Sequence, residues 1–434
     1  MKSIYQRLIH KIWIDTNLKS FVKKGVSGTI LIEGIAKLLL FAITLMLTHL
    51  LPVEDYGRYS FFMASVLAIA SLGTLGYDDY LVRSIRSGGE ARTSVSLFML
   101  CAIMSLVLSG YWITIYTDVN TIYHLLLVLS TALLTLQYLL SGLLKGYKHV
   151  LSAQLPEQII RPLFFLLFLT CCTLSLLKLD LFIVVQAIFF SIAMSTVGAM
   201  ILLIRKEKPR AVFIFRRYSF SWSWDMFYFA ALTFFGVLRH KLDVLILGFL
   251  DLHNATAVYN VASKLSDLIL VGLVLTNAVY MPLFAEQKDA PQKELLQKVL
   301  ESSLIINLLI GTIIFVLFLL AGPWVLNWFG SAYVDGYAAL IILSISTLVY
   351  ALIGPYIIML MMVGLERQVL LGLICGIVIQ IALCLLLLKG QPVVGMAIAK
   401  GISIIFIQLI MLAVAWKKLG LKPIILQWIQ RKIR

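Results

Sequence analysis

The sequence predicts an all-α, polytopic membrane protein of about twelve transmembrane helices, arranged as two six-helix bundles that repeat in parallel. Three observations predict it. Hydrophobic residues make up 61% of the 434, against about 45–50% in soluble domains. They gather into runs of about 20 residues, the length that crosses a hydrocarbon core of about 30 Å. Lys and Arg collect in alternate connections between those runs, the pattern that fixes membrane orientation.

Taken in order, the predicted spans are 26–51, 57–77, 94–116, 121–144, 152–177, 179–204, 219–250, 254–282, 299–321, 336–363, 367–389 and 391–416. Residues 1–24 are basic and mixed and lack a compact apolar stretch, so the first span is expected to act as an uncleaved insertion signal. The seventh is too long for a straight crossing, which predicts a tilt, a bend or an interfacial start. Pro156, Pro162, Pro282 and Pro355 lie in or near spans and mark candidate bends. With the N-terminus cytoplasmic, the external connections carry only Arg58, Lys178 and Lys389, while the internal ones carry 27 Lys and Arg. Both termini are therefore expected in the cytoplasm.

The external connections, such as 52–56, 116–120 and 251–254, are too short for an outer domain. The largest polar segment, Arg205–Arg217, is internal and divides the chain. The expected organisation is a first bundle over 1–204, a cytoplasmic linker over 205–218, and a second bundle over 219–434 with a basic tail. Weak internal similarity supports two repeats. Tyr56–Ser60 opens the second span as Ala257–Asn260 opens the eighth, and Leu144–Lys148 closes the fourth as Val363–Arg367 closes the tenth. Six spans per half start both repeats on one side, so the halves are related by an axis along the membrane normal.

Composition excludes other classes. Charged residues are only 13%, and the net charge of +15 resides in short loops between apolar runs, which argues for membrane lipids and against nucleic acid. The five cysteines lie in apolar runs without metal or disulfide spacing and read as small core residues. No nucleophile triad, metal motif or phosphate-binding glycine loop stands out, so no enzymatic reaction is predicted.

The informative residues are charges inside the spans, each costing about 2.5–3.5 kcal/mol at the bilayer centre. Glu33 and Lys37, Glu157 and Arg161, and Arg239 and Asp243 sit four residues apart, and Lys264 and Asp267 three apart. Each pair shares a helix face and can neutralise itself. The seventh span crowds Arg239, His240, Lys241 and Asp243 together, more cations than one carboxylate can answer, with Asp225 nearer its start. Lys241 lies about 200° around the helix from Arg239. Lys400 has no acid in its own span, so it needs another helix, solvent or an anionic ligand. The candidate cavity cations are Arg239, Lys264, Lys400, Lys241, Arg161 and Lys37. Arg suits phosphate because its planar fork donates parallel hydrogen bonds. The cluster Trp222, Trp224, Phe227, Tyr228 and Phe229 reads as an interfacial belt or as a sugar-stacking surface.

Several pieces in order along the chain carry a family resemblance: LPVEDYGRYS (51–60), GTLGYDDYLVR (73–83), GLLKGYKHVLSAQLPEQIIRP (142–162), RHKLDVLILG (239–248) with 259–265, FGSAYVDGY (329–337) with 354–366, and GMAIAK (395–400). In their order and spacing the chain resembles the Wzx-type polysaccharide flippases of the multidrug/oligosaccharidyl-lipid/polysaccharide exporter superfamily. The resemblance implies two bundles forming a V in a bacterial cytoplasmic (inner) membrane, and alternating access. It implies as cargo an undecaprenyl-diphosphate-linked oligosaccharide repeat unit for surface polysaccharides such as O-antigen, and as partners membrane lipids and the polymerase machinery. Arg239, Lys264 and Lys400 carry over as headgroup-binding residues. No cofactor is implied beyond proton or sodium coupling, for which Asp243, Asp267 and Glu33 are candidates. Three rivals remain: a cation-coupled drug antiporter of the same superfamily, a membrane enzyme acting on lipid-linked sugars, and a peptidoglycan-precursor flippase, whose relatives usually have two further helices.

Overall fold

The computed structural model describes residues 16–86, 101, 103–110, 121–174, 179–206, 224–287 and 292–421. These residues form helices and connections, with no strand among them. In the first half, α1 (Thr16–Leu50) and α2 (Val53–Gly73) are followed by the short α3 (Tyr77–Arg86) and by α4 (103–110). Then come α5 (Thr121–Gly146), α6 (Val150–Leu174) and α7 (Leu181–Lys206). The second half opens with α8 (Trp224–Phe249) and α9 (His253–Ser266), which runs through a 3₁₀ turn (Asp267–Leu270) into α10 (Val271–Glu286). It ends with α11 (Lys293–Asn327), α12 (Tyr337–Ile353), α13 (Tyr356–Met362), α14 (Glu366–Leu387) and α15 (Pro392–Val414).

Most expected spans coincide with these helices. The third, 94–116, falls largely outside the described residues, as do most of the linker 205–218 and Trp222, whereas Trp224, Phe227, Tyr228 and Phe229 lie in the first turns of α8. Among the described residues, nine helices are long and apolar enough to cross a membrane. That set lacks α2 and α8, which have the length for a span but not the apolarity. The physical reason is their position: α2 packs on α8 and α9 across the middle of the molecule, so their polar faces meet protein instead of lipid. Two cysteine expectations also change. Cys101, Cys172 and Cys384 are buried, but Cys171 and Cys375 are exposed on the outer faces of their helices.

The prolines act as the sequence predicts at two places. Pro156 opens a π turn (Pro156–Ile160) inside α6. At the end of α12, Gly354 adopts φ +107° and Pro355 follows, breaking the tenth span into α12 and α13. The carbonyls freed there face Gln408 of α15, whose amide lies 3.4 Å from the Gly354 oxygen. Pro162, by contrast, continues within helical α6.

Three helix reversals share one geometry. Lys148, Asp251 and Gly364 have positive φ. The next residue in each donates to the carbonyl five back: His149 to Leu144 at 2.9 Å, Leu252 to Leu247 at 3.1 Å, and Leu365 to Leu360 at 2.9 Å. This closure satisfies helix-end carbonyls and starts the next helix at once.

The repeat is visible at the seam. The helices α2 and α9 start 200 residues apart and run the same way from the same end. Gly57 lies under the start of α9, where an added Cβ would sit 1.9 Å from the His253 carbonyl oxygen. Gly248 lies equally close to the Phe61 ring. Ser60 and Asn260, equivalent in the two repeats, meet face to face: the Asn260 amide donates to the Ser60 hydroxyl at 2.7 Å. Around them one apolar core joins the halves, including Leu47, Tyr56, Tyr259, Phe329 and Tyr333. Phe41 packs edge-on to Phe329 at 5.5 Å, and Tyr56 edge-on to Tyr333 at 6.1 Å. Towards the opposite end the core divides. One cluster, around Tyr77, Leu143 and Leu203, belongs to the first half, and another, around Phe284, Leu300 and Met359, to the second.

Candidate functional site

Below the sealed end, α8, the 3₁₀ turn after α9, α12 and α15 border a small cavity of about 10 Å³, room for about one water. Arg239, His240, Asp267, Leu270, Thr347, Tyr350, Lys400 and Ile404 line it. The helical repeat puts Arg239 and Asp243 on one face of α8, and the 3₁₀ turn after α9 brings Asp267 opposite.

The ion pairs differ from those expected by sequence spacing. Asp243 does not answer Arg239, because it is fully buried and answers Lys400 of α15 across 2.6 Å. Lys400 is only 5% exposed and also donates to the Ser263 hydroxyl at 2.9 Å. The second Asp243 contact comes from Tyr259, whose hydroxyl donates at 2.8 Å. Of the three answers open to Lys400, another helix, solvent or an anionic ligand, the structure supplies another helix. A pair this well hydrogen-bonded is what makes a buried charge tolerable.

Among the described residues, Arg239 has no carboxylate partner. Its Nη2 donates to Nε2 of His240 at 2.7 Å, which makes that ring nitrogen the acceptor of a neutral imidazole. Its Nε is buried without a partner, and its guanidinium carbon lies 5.8 Å from the Tyr350 ring centre. Lys241 projects from another side of α8 and has no ion pair among the described residues, and the charge of Lys264 reaches it.

Lys264 does not pair with Asp267. Its ammonium crosses the seam and donates to the Thr44 hydroxyl of α1 and the Tyr56 hydroxyl of α2, both at 3.1 Å. All its hydrogen-bond partners are neutral oxygens. Asp267 instead borders the cavity beside Arg239.

In the first half, Glu33 does not pair with Lys37 but accepts from the Gln158 amide of α6 at 2.7 Å. Lys37 has no carboxylate partner among the described residues and is close enough to His240 to act on it electrostatically, as is Lys400. Glu157 and Arg161 form the expected pair, at 3.7 Å.

Sequence reasoning named His240 only within the crowded charges of the seventh span, and missed Thr44, Tyr56, Ser263 and Gln158 as site components. The available signal was local: Tyr56 and Ser60 lie in the repeated stretch, and Ser263 lies one residue before Lys264.

A helical protein split by a seam, closed at one end and charged at mid-depth, has the architecture of a multi-pass membrane transporter, and solved structures show that fold. An inward-facing multidrug resistance MATE family transporter of the MOP superfamily superposes with TM-score 0.69 at 14% identity, over 89% of this chain and 94% of that one. An outward-facing form gives TM-score 0.68 at 13% identity, over 92% and 95%. A MOP superfamily transporter from Pyrococcus furiosus, described by the reverse polarity of its binding pocket, gives 0.60 at 14%, over 92% and 95%. No curated protein sequence matches the chain. The family model for polysaccharide biosynthesis protein matches residues 22–288. The chain belongs to that family.

Proposed function

We propose that this protein flips a lipid-linked oligosaccharide across the bacterial cytoplasmic membrane, its diphosphate headgroup held on the cations of the central seam. The observation that carries the reading is Arg239: a guanidinium at membrane depth, bordering a cavity, with no carboxylate partner among the described residues. Among the described residues, Lys37 and Lys241 have no ion pair and Lys264 bonds neutral hydroxyls, although the Asp243 and Asp267 charges reach Lys241. Cations kept there at a cost of a few kcal/mol each need an anion for part of the transport cycle. A diphosphate supplies one, and the chain's family makes polysaccharides.

The Lys and Arg distribution puts residues 52 and 252 at the outer surface. The sealed aromatic end then faces outward, and the divided core faces the cytoplasm, where lipid-linked sugars are assembled. Delivery of cargo to the outer leaflet then requires opening the Ser60–Asn260 seam.

The test is a strain lacking the protein. Lipid extracts of that strain should accumulate the lipid-linked repeat unit on the cytoplasmic face, and surface polysaccharide should be lost. Arg239→Gln should lower export about ten- to hundredfold, the equivalent of one charge-assisted hydrogen bond of about 1.5–3 kcal/mol, with the protein still in the membrane. Normal surface polysaccharide together with raised drug sensitivity would replace this reading with that of a drug antiporter.

A further inference from the structure

The first half carries a polar stripe of different chemistry. On α6, Gln154, Glu157, Gln158 and Arg161 follow at spacings of three, one and three, which places all four on one face. The π turn Pro156–Ile160 lies in the middle of this stripe. Such widened turns occur mostly at functional positions, because they cost helix stability.

The stripe is rich in unused hydrogen-bonding capacity. Gln154 Oε1, Gln158 Oε1 and Arg161 Nη1 are buried atoms without partners. On α5, Tyr138 hydrogen-bonds the Arg161 side chain and lies within electrostatic reach of Glu157. Its neighbour Gln137 is fully buried, and both its amide atoms are unpartnered. Amide groups left unpaired in an apolar surrounding are expensive, so the unpaired amide oxygens of Gln154 and Gln158 on one face imply a polar occupant. The stripe's own charges, Glu157 and Arg161, neutralise each other. What remains is a wall of amide donors and acceptors flanked by rings, with Tyr59 stacked on Phe165 at 6.2 Å. That inventory matches hydroxyl groups, which donate and accept at once, and does not match phosphate.

We propose that the α6 stripe is a saccharide subsite, engaging the sugars of the cargo while the second half holds its phosphate. The two subsites adjoin through α1: Glu33 bonds Gln158 of the stripe, and Lys37, one turn on, lies within electrostatic reach of His240. The assignment rests on the proposed cargo, and two probes separate the two ideas. One is the repeat-unit oligosaccharide released from the strain's surface polysaccharide, free of lipid and phosphate. The other is undecaprenyl diphosphate without sugar. Each is titrated into the purified protein in nanodiscs.

Gln154→Ala combined with Gln158→Ala should weaken oligosaccharide binding at least tenfold and leave undecaprenyl diphosphate within twofold, and Arg239→Gln should do the reverse. Should the alanine variant not fold, Gln154→Asn keeps the amide and reads the same loss. Wild-type protein that binds the bare lipid but no oligosaccharide overturns the subsite, as does equal weakening of both probes by the stripe variants. Oligosaccharide binding that depends on the stripe, without binding of the bare lipid, upholds the subsite and removes the phosphate role of Arg239. Binding of neither probe removes both.

Discussion

Lys400 shows how a membrane protein keeps a lysine in its interior. The ammonium has a carboxylate at 2.6 Å and a hydroxyl at 2.9 Å, and the carboxylate in turn receives a tyrosine. Removing one member of such a pair leaves an uncompensated charge and costs about 3–5 kcal/mol, whereas removing both is far cheaper. Lys400→Met and Asp243→Asn should each lower the melting temperature of the purified protein markedly. The double variant should recover most of the loss. A double variant as unstable as the sum of the singles would mean that the two residues act independently. This pairing was hidden in the sequence because 157 positions separate the partners. Every charge at the site could be read from the chain. Local spacing suggested partners three or four residues away, and in three of four cases a residue on another helix offered better geometry. Only Glu157 and Arg161, whose helix face is otherwise lined by neutral amides, kept the local solution.

Among the elements, α3 is held in a way that makes pH matter. It crosses beneath α5 at Gly142, where a Cβ would lie 2.6 Å from the Asp78 carbonyl oxygen. On the same helix, Asp79 accepts from Thr233 of α8 at 2.9 Å and so ties the two halves together at this end. Asp78 lies outside the predicted spans. Its Oδ1 is buried and unpartnered. Burial, and then the neighbouring Asp79 carboxylate, push the Asp78 carboxyl up from its ordinary 3.8 to about 7. The folded state therefore favours the neutral acid. Its contribution is intact below about pH 4 and is lost progressively as pH rises through 7. Asp78→Asn should match wild type in thermal unfolding near pH 4 and exceed it at pH 8. A constant difference between the two curves would show that Asp78 does not titrate there. The other elements were legible to differing degrees. The apolar runs gave most helices to within a few residues, and Gly354–Pro355 marked the break before α13. The helices α2 and α8 can be counted as spans only from the arrangement of Lys and Arg, because a helix that meets protein on several sides does not need a lipid-like surface.

For the whole molecule, the parallel repeat was faintly readable as Tyr56–Ser60 against Ala257–Asn260, and the structure turns that similarity into a physical contact. Two residues at equivalent positions touch only on or near the axis that relates the halves, so Ser60 and Asn260 mark where the outer seam parts. Ser60→Cys with Asn260→Cys, in a background without the five native cysteines, should be joined by a short bifunctional thiol reagent. Export should stop on joining and return on reduction. Export that continued with the seam joined would mean that delivery takes another route.

The weak apolarity of α2 and α8 bears on how the protein is made. At about 5–20 residues per second, the ribosome needs roughly 10–40 s to advance from the start of α2 to its counterpart α9. Throughout that interval α2 has been synthesised but lacks the surface that will shelter its polar flank. Lipid alone is a poor host for it. The nascent first half must be chaperoned within the bilayer until the second half emerges, so each repeat serves as the other's solvent.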